Sequence, residues 1–375
     1  MLWNRVVCAI SGSILVGTAA YAYEIKVRRL FINKYDVHET ITTMATNCLQ
    51  PAAPGASPPL PSNCWKNLDD IKNQSRKGGK SSYSDIEKAS RWSDDPTRQD
   101  RKLSFAKIGY NIFRGCAEWI KKDRHPENAG LLCSSHYGKL QFLHAQAIDE
   151  DKGQARNTHQ RIMQWADFAF RAARNERGSD GASFLDANFC STIDGEPEGL
   201  KEAMQCRPDG RWAEWTVRTF FALTCRNPVS SANCGEPADH REGDRRALLA
   251  ARGALLHLVQ DSFSQSHTSR SLGAPIPHTG KPEGFTSKVV CAYPTAYFNY
   301  RFQELDAPGQ HKKADKPPQV REGCDDDPRT AAQNDPQTDD VVKASAMVLW
   351  HLEHGTRATL RGYLVARVFG PEPAG

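Results

Sequence analysis

The chain has 375 residues, a formal net charge of +5 at neutral pH and 39% hydrophobic residues. This length and composition exclude a fibrous or wholly disordered protein and suffice for one large domain with a buried core. Lys and Arg alternate with Asp and Glu along most of the chain, so the charge predicts an ordinary solvated surface and does not argue for nucleic-acid binding. The mild excess of positive charge is compatible with an anionic substrate or surface.

The first 22 residues have the pattern of an export signal. Arg5 precedes an apolar run over residues 6–18, and Ala20, Tyr21 and Ala22 provide the small residues of a cleavage site. We expect cleavage just before Tyr23. An uncleaved membrane anchor is the alternative, but the apolar run is shorter than the roughly 18 residues of a membrane span. The sequence therefore predicts a secreted or periplasmic protein.

The cysteines also favour an oxidising compartment. Eleven are present, and ten remain once Cys8 leaves with the signal. A cysteine–zinc cluster is the rival interpretation, and the lack of any Cys-x-x-Cys pair in the sequence argues against it. Connectivity cannot be read from a sequence alone, but the simplest hypothesis joins neighbours along the chain: Cys48 with Cys64, Cys116 with Cys133, Cys190 with Cys206, Cys225 with Cys234, and Cys291 with Cys324.

Helical periodicity dominates, and alternating strand patterns are nearly absent. The predicted helices, in chain order, are Phe31 to Thr46, Tyr83 to Trp92, Lys107 to Lys121, Lys139 to Ile148, Ala155 to Arg174, Arg211 to Thr224, Asp244 to Phe263, Thr295 to Glu304 and Asp339 to Val368. The Pro- and Gly-rich connectors between them hold or adjoin most of the cysteines, which makes them disulfide-stapled loops on a helical core. We therefore predict an all-α protein with one domain over residues 23–369 and a disordered tail over residues 370–375.

The most informative motif lies in the helix predicted for residues 244–263. His257 and Asp261 are four residues apart, so on a helix both point to the same side. Leucines and a valine on the remaining sides predict that this helix is buried, and a buried His and Asp need partners. One interpretation is a structural His–Asp pair with His267 unrelated to it. The other is a metal site formed by all three residues.

The spacing His-x-x-x-Asp-x-x-x-x-x-His at the end of a buried Ala- and Leu-rich helix resembles the zinc-dependent phospholipase C and fungal single-strand zinc nuclease superfamily. The resemblance implies a single multi-helix domain that binds two to three zinc ions through His, Asp or Glu and the amine of the mature N-terminus. By the same resemblance, His38 is similar to the family's first histidine, at the start of the first helix and fifteen residues after Tyr23.

The family's aspartate and its next histidine are matched by two further segments. Asp94 follows Trp92 in a Trp-x-Asp segment, with Asp95 and Asp85 as alternatives and a plain Asp-rich turn as the structural interpretation. A second Trp-x-Asp segment ends at Asp167, but it lies inside the helix predicted for residues 155–174, and we interpret it as unrelated. The family's next histidine is followed by an aromatic residue. His136 before Tyr137 fits this pattern, whereas His144 is interpreted as a core residue.

The family's second His-x-x-x-carboxylate pair is matched by His311 and Asp315. His351 and His354 are assigned to packing or to the surface. The resemblance then implies three zinc sites, and Asp261 and Asp94 are the residues assigned to catalysis. One site consists of Asp94, His136, His257 and Asp261, a second of His267, His311 and Asp315, and a third of the Tyr23 amine, His38 and Asp261.

A zinc cluster of this kind activates water for attack on phosphorus without a protein nucleophile. The resemblance favours a phospholipase C acting on a phospholipid or membrane surface, with a single-strand nuclease or nucleotidase acting on nucleic acid as the alternative. A non-catalytic helical exoprotein with structural His–Asp pairs is the third class. No obligate protein partner is predicted. Five aromatic residues suit either substrate: Phe263, Tyr293, Tyr297, Phe298 and Tyr300.

Overall fold

The computed structural model describes residues 37–49, 84–94, 116, 131–148, 155–193, 200–204, 206, 212–227, 232–235, 237–264, 266–270, 293–294, 296–301 and 341–373. The predicted signal, His311 and Asp315 lie outside these ranges. The described part is mainly helical, which agrees with the predicted all-α class. None of its helices is both long and apolar enough to cross a membrane.

The described helices, in chain order, are α1 (Val37–Cys48), α2 (Asp85–Ala89), α3 (Leu131–Tyr137), α4 (Ala155–Arg174), α5 (Phe189–Thr192), α6 (Leu200–Ala203), α7 (Val217–Ala222), α8 (His240–Asp261), α9 (Val341–His354) and α10 (Arg357–Leu364). Short 3-10 helices lie at Gln141–His144 and Phe184–Asp186, and a π-helical turn at Val365–Phe369 follows α10. Two small antiparallel pairs complete the elements: β1 (Thr224–Asn227) with β2 (Ala232–Gly235), and β3 (Thr268–Ser269) with β4 (Ala296–Tyr297).

Helix α8 is the central element of the fold. Asp239 caps its N-terminus by accepting a hydrogen bond from the Arg241 amide, and Glu242 in the first turn pairs with Arg245 and Arg246. From Ala247 onward nearly every residue is buried, because α8 packs against α4, α7, α9 and α2. A helix that is covered on all sides places its polar side chains inside the protein, where each needs a partner.

An aromatic cluster fills the space between α4, α7 and α8. We use this name for six buried residues: Trp92, Trp165, Phe168, Phe189, Phe220 and Phe221. The Phe220 ring stacks on Phe189 with centroids 4.4 Å apart, and Trp165 stacks on Phe168 at 5.6 Å. Such rings each bury about 150 to 250 Å² of mostly apolar surface, so they account for much of the stability of this region.

Two predicted helices are replaced by other structure. Residues 139–148 form a 3-10 turn that ends at Ala145, whose φ of 52° is left-handed, after which Ala147 donates a backbone hydrogen bond to Phe298. Of the helix predicted over residues 295–304, the structure describes residues 296–301, of which 296–297 pair with Thr268–Ser269 as β4 and 300–301 are helical. In both places, hydrogen bonds to distant parts of the chain compete successfully with the local helical pattern.

The C-terminal region also differs from the prediction. The single helix predicted for residues 339–368 is broken at Gly355, where a Cβ atom would lie 2.5 Å from Nδ1 of His351. Thr356 then starts α10 with a capping box to Thr359. Residues 370–373, predicted as disordered, contact α4, since the Gly370 carbonyl lies 3.1 Å from Nε2 of His159 and Glu372 accepts from Gln160 at 2.9 Å.

In two of the predicted pairs, Cys116 with Cys133 and Cys190 with Cys206, the sulfur atoms lie at disulfide distance. Cys48 is also disulfide-bonded, and its predicted partner Cys64 lies outside the described residues. The β1–β2 register places the backbone of Cys225 directly opposite that of Cys234. The predicted Cys291–Cys324 pair lies outside the described residues.

Candidate metal centre

The last turns of α8 form one wall of a buried polar centre. His257 and Asp261 are fully buried, and Nε2 of His257 lies 2.8 Å from Oδ2 of Asp261. The other ring nitrogen, Nδ1, lies 2.8 Å from the carbonyl oxygen of Ser90. A carbonyl oxygen only accepts, so Nδ1 carries the proton and Nε2 presents its lone pair to the centre in the neutral ring. The predicted arrangement of these two residues on one side of a helix is therefore observed.

A close contact between α8 and α2 brings Asp94 to this wall. A Cβ atom at Gly253 would lie 1.9 Å from the carbonyl oxygen of Ala89, so only glycine permits this approach. The chain then turns through Ser90 to Asp94. Trp92 points into the aromatic cluster and donates from Nε1 to the Phe221 carbonyl at 3.2 Å, while Oδ1 of Asp94 lies 3.6 Å from Nε2 of His257. The Trp-x-Asp segment thus anchors the tryptophan in the core and directs the aspartate to the polar centre.

Helix α1 provides the opposite wall through His38. Its Nε2 lies 3.3 Å from Oδ1 of Asp261 and 4.0 Å from Oδ2 of Asp94. Its Nδ1 donates to the side-chain oxygen of Gln260 at 2.7 Å, and the Gln260 amide donates in turn to Thr42 at 3.0 Å. The ring also stacks on His257 with centroids 3.9 Å apart. Gln260 therefore fixes both the tautomer and the orientation of His38.

His144 and His267 close the centre on the remaining side. Nδ1 of His144 lies 2.9 Å from Oδ2 of Asp261 and 2.9 Å from Nε2 of His257. Nδ1 of His267 donates to the His144 carbonyl at 2.6 Å and lies 3.4 Å from Oδ2 of Asp261. We call the six residues that meet here the histidine–aspartate cluster: His38, Asp94, His144, His257, Asp261 and His267.

His144, interpreted from sequence as a core residue, is buried and contacts the polar centre. One ligand atom each of Asp94, His144 and His257 lies within 4.8 Å of the others, and the same holds for His38, His257 and Asp261. His136, on α3, lies next to His144, with ring centroids 4.6 Å apart, and its Nδ1 donates to the Leu132 carbonyl at 3.0 Å, so the assignment of His136 to metal binding stays a prediction. His144 is an additional candidate that the sequence did not single out. The 3-10 turn at Gln141–His144 faces it toward α8.

The distances within the cluster fall into two groups with different meanings. The contacts of Asp261 with His257 and His144, at 2.8 and 2.9 Å, are hydrogen-bond distances. Nε2 of His38 lies 3.3 Å from Oδ1 of Asp261, and Nε2 of His257 lies 3.6 Å from Oδ1 of Asp94. Two ligands of one tetrahedral zinc with bonds of about 2.0 Å lie roughly 3.3 Å apart. The longer group therefore matches the spacing between ligands of a common ion.

Several polar atoms of the cluster are left without a hydrogen bond. Both oxygens of Asp94, Oδ1 of Asp261 and Nε2 of His144 are buried and have no hydrogen-bond partner among the residues that the structure describes. A buried carboxylate without a partner is strongly unfavourable unless a cation or a proton compensates it. These nitrogen and oxygen atoms are the ligand types that zinc accepts. The described residues therefore fit a metal ion.

The electrostatics of the cluster reflect the same shortage of positive charge. Burial raises the pKa of Asp94 well above its ordinary value, and His257 opposes that shift while Asp261 and Glu39 add to it. Burial lowers the pKa of His38 and of His144 to about 4. Burial also acts to lower the pKa of His257, but the carboxylates of Asp261 and Asp94 outweigh it and raise that pKa to about 9. In the absence of metal, His257 is thus the ring that carries positive charge.

The remaining sequence-predicted residues are placed as follows. Asp85 is an exposed residue of α2, with a side chain 60% accessible and paired with Arg245, whereas Asp94 is 1% accessible, so Asp94 is the better choice of the two. Asp95, His311, Asp315 and the Tyr23 amine lie outside the described residues. Asp167 pairs with Arg357 on the surface of α4, as expected for a residue unrelated to the centre. His351 packs in α9 and His354 is exposed, as predicted.

The five aromatic residues that sequence suggested for substrate contact are buried or have other contacts. Tyr297, Phe298 and Tyr300 are buried, and the hydroxyl of half-buried Tyr293 donates to the Ala366 carbonyl at 2.6 Å. Phe263 is half-buried beneath the guanidinium of Arg270, which lies 4.0 Å from the ring centroid. The described aromatic residues therefore do not discriminate between a lipid and a nucleic-acid substrate.

Sequence reasoning missed Gln260 and Ser90 as well as His144. Gln260 directly precedes Asp261 in the buried part of α8. A polar residue next to a predicted ligand in a buried helix was the one signal that the sequence offered for it. Ser90 acts through its main-chain carbonyl, for which a sequence contains no signal.

No family model, no curated protein and no solved structure matches this chain.

Proposed function

We propose that this protein is a zinc-dependent phosphodiesterase that acts outside the cytoplasm, with phospholipase C activity as the leading form. The observation that carries the proposal is the histidine–aspartate cluster. In three of its four histidines, Nδ1 donates to an amide or main-chain carbonyl oxygen, which leaves Nε2 for a metal. A histidine that binds zinc usually donates its other ring N–H in this way, to a carboxylate, a carbonyl oxygen or water. The cysteine pairs at disulfide distance support an oxidising compartment.

The rival interpretation of a satisfied structural His–Asp pair is less compatible with these contacts. A satisfied pair needs a partner for each buried oxygen, and both oxygens of Asp94 have none within the described residues. Four histidines around two carboxylates also exceed what one structural pair requires. The sequence resemblance adds a reason to expect phosphoester hydrolysis, since the spacing of His257, Asp261 and His267 is that of the superfamily.

Each residue of the cluster then has a distinct role. Asp261 contacts His38, His144, His257 and His267, so its carboxylate would bind a metal ion beside these histidines. Asp94, His144 and His257 would hold one ion, and His38, His257 and Asp261 form a second group that would hold one. Bound zinc would supply an activated water and neutralise the phosphate oxygens. Apolar packing from α8 and α1 excludes bulk water from the back of the centre.

Metal analysis combined with two hydrolysis assays tests the proposal. The purified mature protein is expected to contain at least one tightly bound zinc per chain and to release diacylglycerol from phosphatidylcholine vesicles. Chelation should abolish the activity and added zinc restore it. Hydrolysis of single-stranded DNA instead would support the nuclease alternative. Less than one zinc per chain, or activity that survives chelation, would overturn the proposal.

Matched variants separate loss of metal from loss of structure. His257→Ala and Asp261→Ala are each expected to lose zinc and activity together. Asp167→Ala is the control, because Asp167 is a half-buried carboxylate of the neighbouring helix α4 that pairs with the exposed Arg357 and not with the cluster. It should keep both zinc and activity. If Asp167→Ala lost more activity than Asp94→Ala, the assignment of Asp94 would be wrong.

A further inference from the structure

A buried ion pair lies directly beside the histidine–aspartate cluster. Glu39 follows His38 in α1, and its side chain is only 4% accessible. Its Oε1 lies 2.9 Å from Nε of Arg91. Arg91 belongs to the turn that carries Asp94, and the Asp94 amide donates to the Arg91 carbonyl at 3.1 Å. The guanidinium therefore originates from the same turn as the carboxylate that we assign to metal binding.

Arg91 pairs with Glu39 and not with Asp94, which leaves the Asp94 carboxylate available for other partners. A guanidinium is the side chain best suited to occupy a carboxylate, because its planar donors match the two oxygens. Both Asp94 oxygens lack a hydrogen-bond partner within the described residues, although this cation lies three residues away on the same turn. The Arg91 side chain is instead directed to Glu39 on α1. Glu39 also offsets a positive charge that would repel a metal ion at Asp94.

We propose that Glu39 is a positioning residue that holds Arg91 away from Asp94 and so keeps the Asp94 carboxylate available to a metal ion. This inference rests on the proposed function, because it requires Asp94 to bind zinc. It assigns Glu39 no contact with substrate. The pair also joins α1, which carries His38, to the turn that carries Asp94, so it links the two walls of the centre.

A second contact between α1 and α2 provides a control for the alternative that Glu39 only holds these two helices together. One turn after Glu39, the Thr43 hydroxyl donates to the carboxylate of Glu87. Glu87 also accepts from the Ser84 amide in the capping box of α2. Removal of the Thr43 hydroxyl therefore weakens the α1–α2 contact without releasing a cation near Asp94. A purely structural role of Glu39 predicts that the two variants behave alike.

The experiment measures zinc affinity, by competition with a chelator, for the full-length mature protein and four variants: Glu39→Gln, Arg91→Met, Thr43→Ala and the double variant Glu39→Gln/Arg91→Met. Zinc alone is the probe. Glu39→Gln is expected to weaken zinc binding by about 10- to 100-fold, the usual effect of losing an outer-shell partner. The double variant should recover most of this loss, because the released cation is gone. Arg91→Met and Thr43→Ala should bind zinc at least nearly as well as the unaltered protein.

The outcomes distinguish this inference from the function on which it rests. If the unaltered protein binds no zinc, both proposals are overturned. If it binds zinc and Glu39→Gln binds it equally well, only the role of Glu39 is overturned. A double variant that binds zinc as weakly as Glu39→Gln would likewise contradict the role, since a structural defect is not repaired by a second substitution. Should Glu39→Gln fail to fold, a large loss of zinc affinity in Arg91→Met overturns the inference and retained affinity supports it.

Discussion

Two buried regions meet around α8, and they are built on opposite principles. The aromatic cluster consists of rings that gain free energy simply by leaving water. The histidine–aspartate cluster consists of groups whose charged forms lose solvation when buried, and several of its polar atoms lack a hydrogen-bond partner within the described residues. The first region is complete without a ligand. The second contains buried polar atoms that a bound cation would compensate, which is why it is the candidate functional site.

The two regions share a narrow boundary. Trp92 packs in the aromatic cluster with its ring centroid 5.6 Å from that of Phe220, and Asp94, two residues later, belongs to the polar centre. Gly253 permits the contact that places this turn against α8. Rigid apolar packing thus positions polar groups that would not hold this arrangement by themselves.

The largest expected effect comes from Asp94→Asn, which keeps the shape of the side chain and removes its charge. Loss of a metal ligand should lower hydrolytic activity by at least about 10³-fold, because metal stabilisation of the transition state amounts to several kcal/mol. The zinc-free variant should be no less stable than the zinc-free parent, since burial disfavours the Asp94 charge. Zinc titration and thermal unfolding with and without zinc measure both effects. A zinc-free variant that is clearly less stable would contradict the comparison.

Phe220→Ala should have the opposite profile. Phe220 is fully buried and stacks on Phe189 within the aromatic cluster, so the free energy of unfolding should fall by about 3 to 5 kcal/mol. Denaturant titration should give the same loss with and without zinc, because the ring has no part in the polar centre. A variant whose loss appears only in the zinc-bound form would show that the two regions are not separate.

Gly253→Ala tests the boundary between the two regions. The new Cβ would lie 1.9 Å from the Ala89 carbonyl oxygen and force α2 away from α8, at a cost of about 1 to 3 kcal/mol. Zinc affinity should fall as well, since Ser90 orients His257. Gly243→Ala on the same helix is the matched control, because the atoms nearest to the new Cβ there belong to the Arg218 side chain, at 3.1 Å or more, and not to the backbone. Equal behaviour of the two variants in unfolding and zinc titration would argue against the boundary.

A further prediction concerns the acid sensitivity of the zinc-free protein. The pKa values of His38 and His144 are lowered to about 4, so below their unfolded value of about 6.5 the unfolded state binds more protons and stability falls as the pH falls toward 4. The raised pKa of His257, about 9, acts in the opposite sense, and its contribution is lost as the pH rises through 9. Each of the first two rings contributes a slope of up to about 1.4 kcal/mol per pH unit.

Denaturant unfolding of the zinc-free protein between pH 4 and pH 7 measures this slope. The variant His144→Phe should reduce this slope. Phe220→Ala should lower the free energy of unfolding equally at every pH, so that its slope with pH is unchanged. If Phe220→Ala changed the slope as much as His144→Phe, the assignment of the pH dependence to the polar centre would be contradicted.

The sequence was sufficient wherever the relevant information is local. Period 3.6 and four-residue spacing placed His257 and Asp261 on one side of a helix, and the long amphipathic pattern predicted α4 with its observed bounds, Ala155–Arg174. The sulfur atoms of two expected pairs, Cys116 with Cys133 and Cys190 with Cys206, lie at disulfide distance, since short loops bring their ends together at low entropic cost. His38, Asp94 and His267 also reach the predicted centre.

Tertiary structure decided what local rules leave open. His136 and His144 are both buried, and only the turn at Gln141–His144 determines that His144 faces α8. Residues 296–297 pair as a strand because distant backbone groups offer them hydrogen bonds, despite their helical pattern. Gly253 approaches Ala89, and the Ser90 carbonyl orients His257, only because two segments more than 150 residues apart in the chain are in contact. Periodicity reports which side of an element is apolar, but the pairing of distant sides depends on the packing of the whole chain.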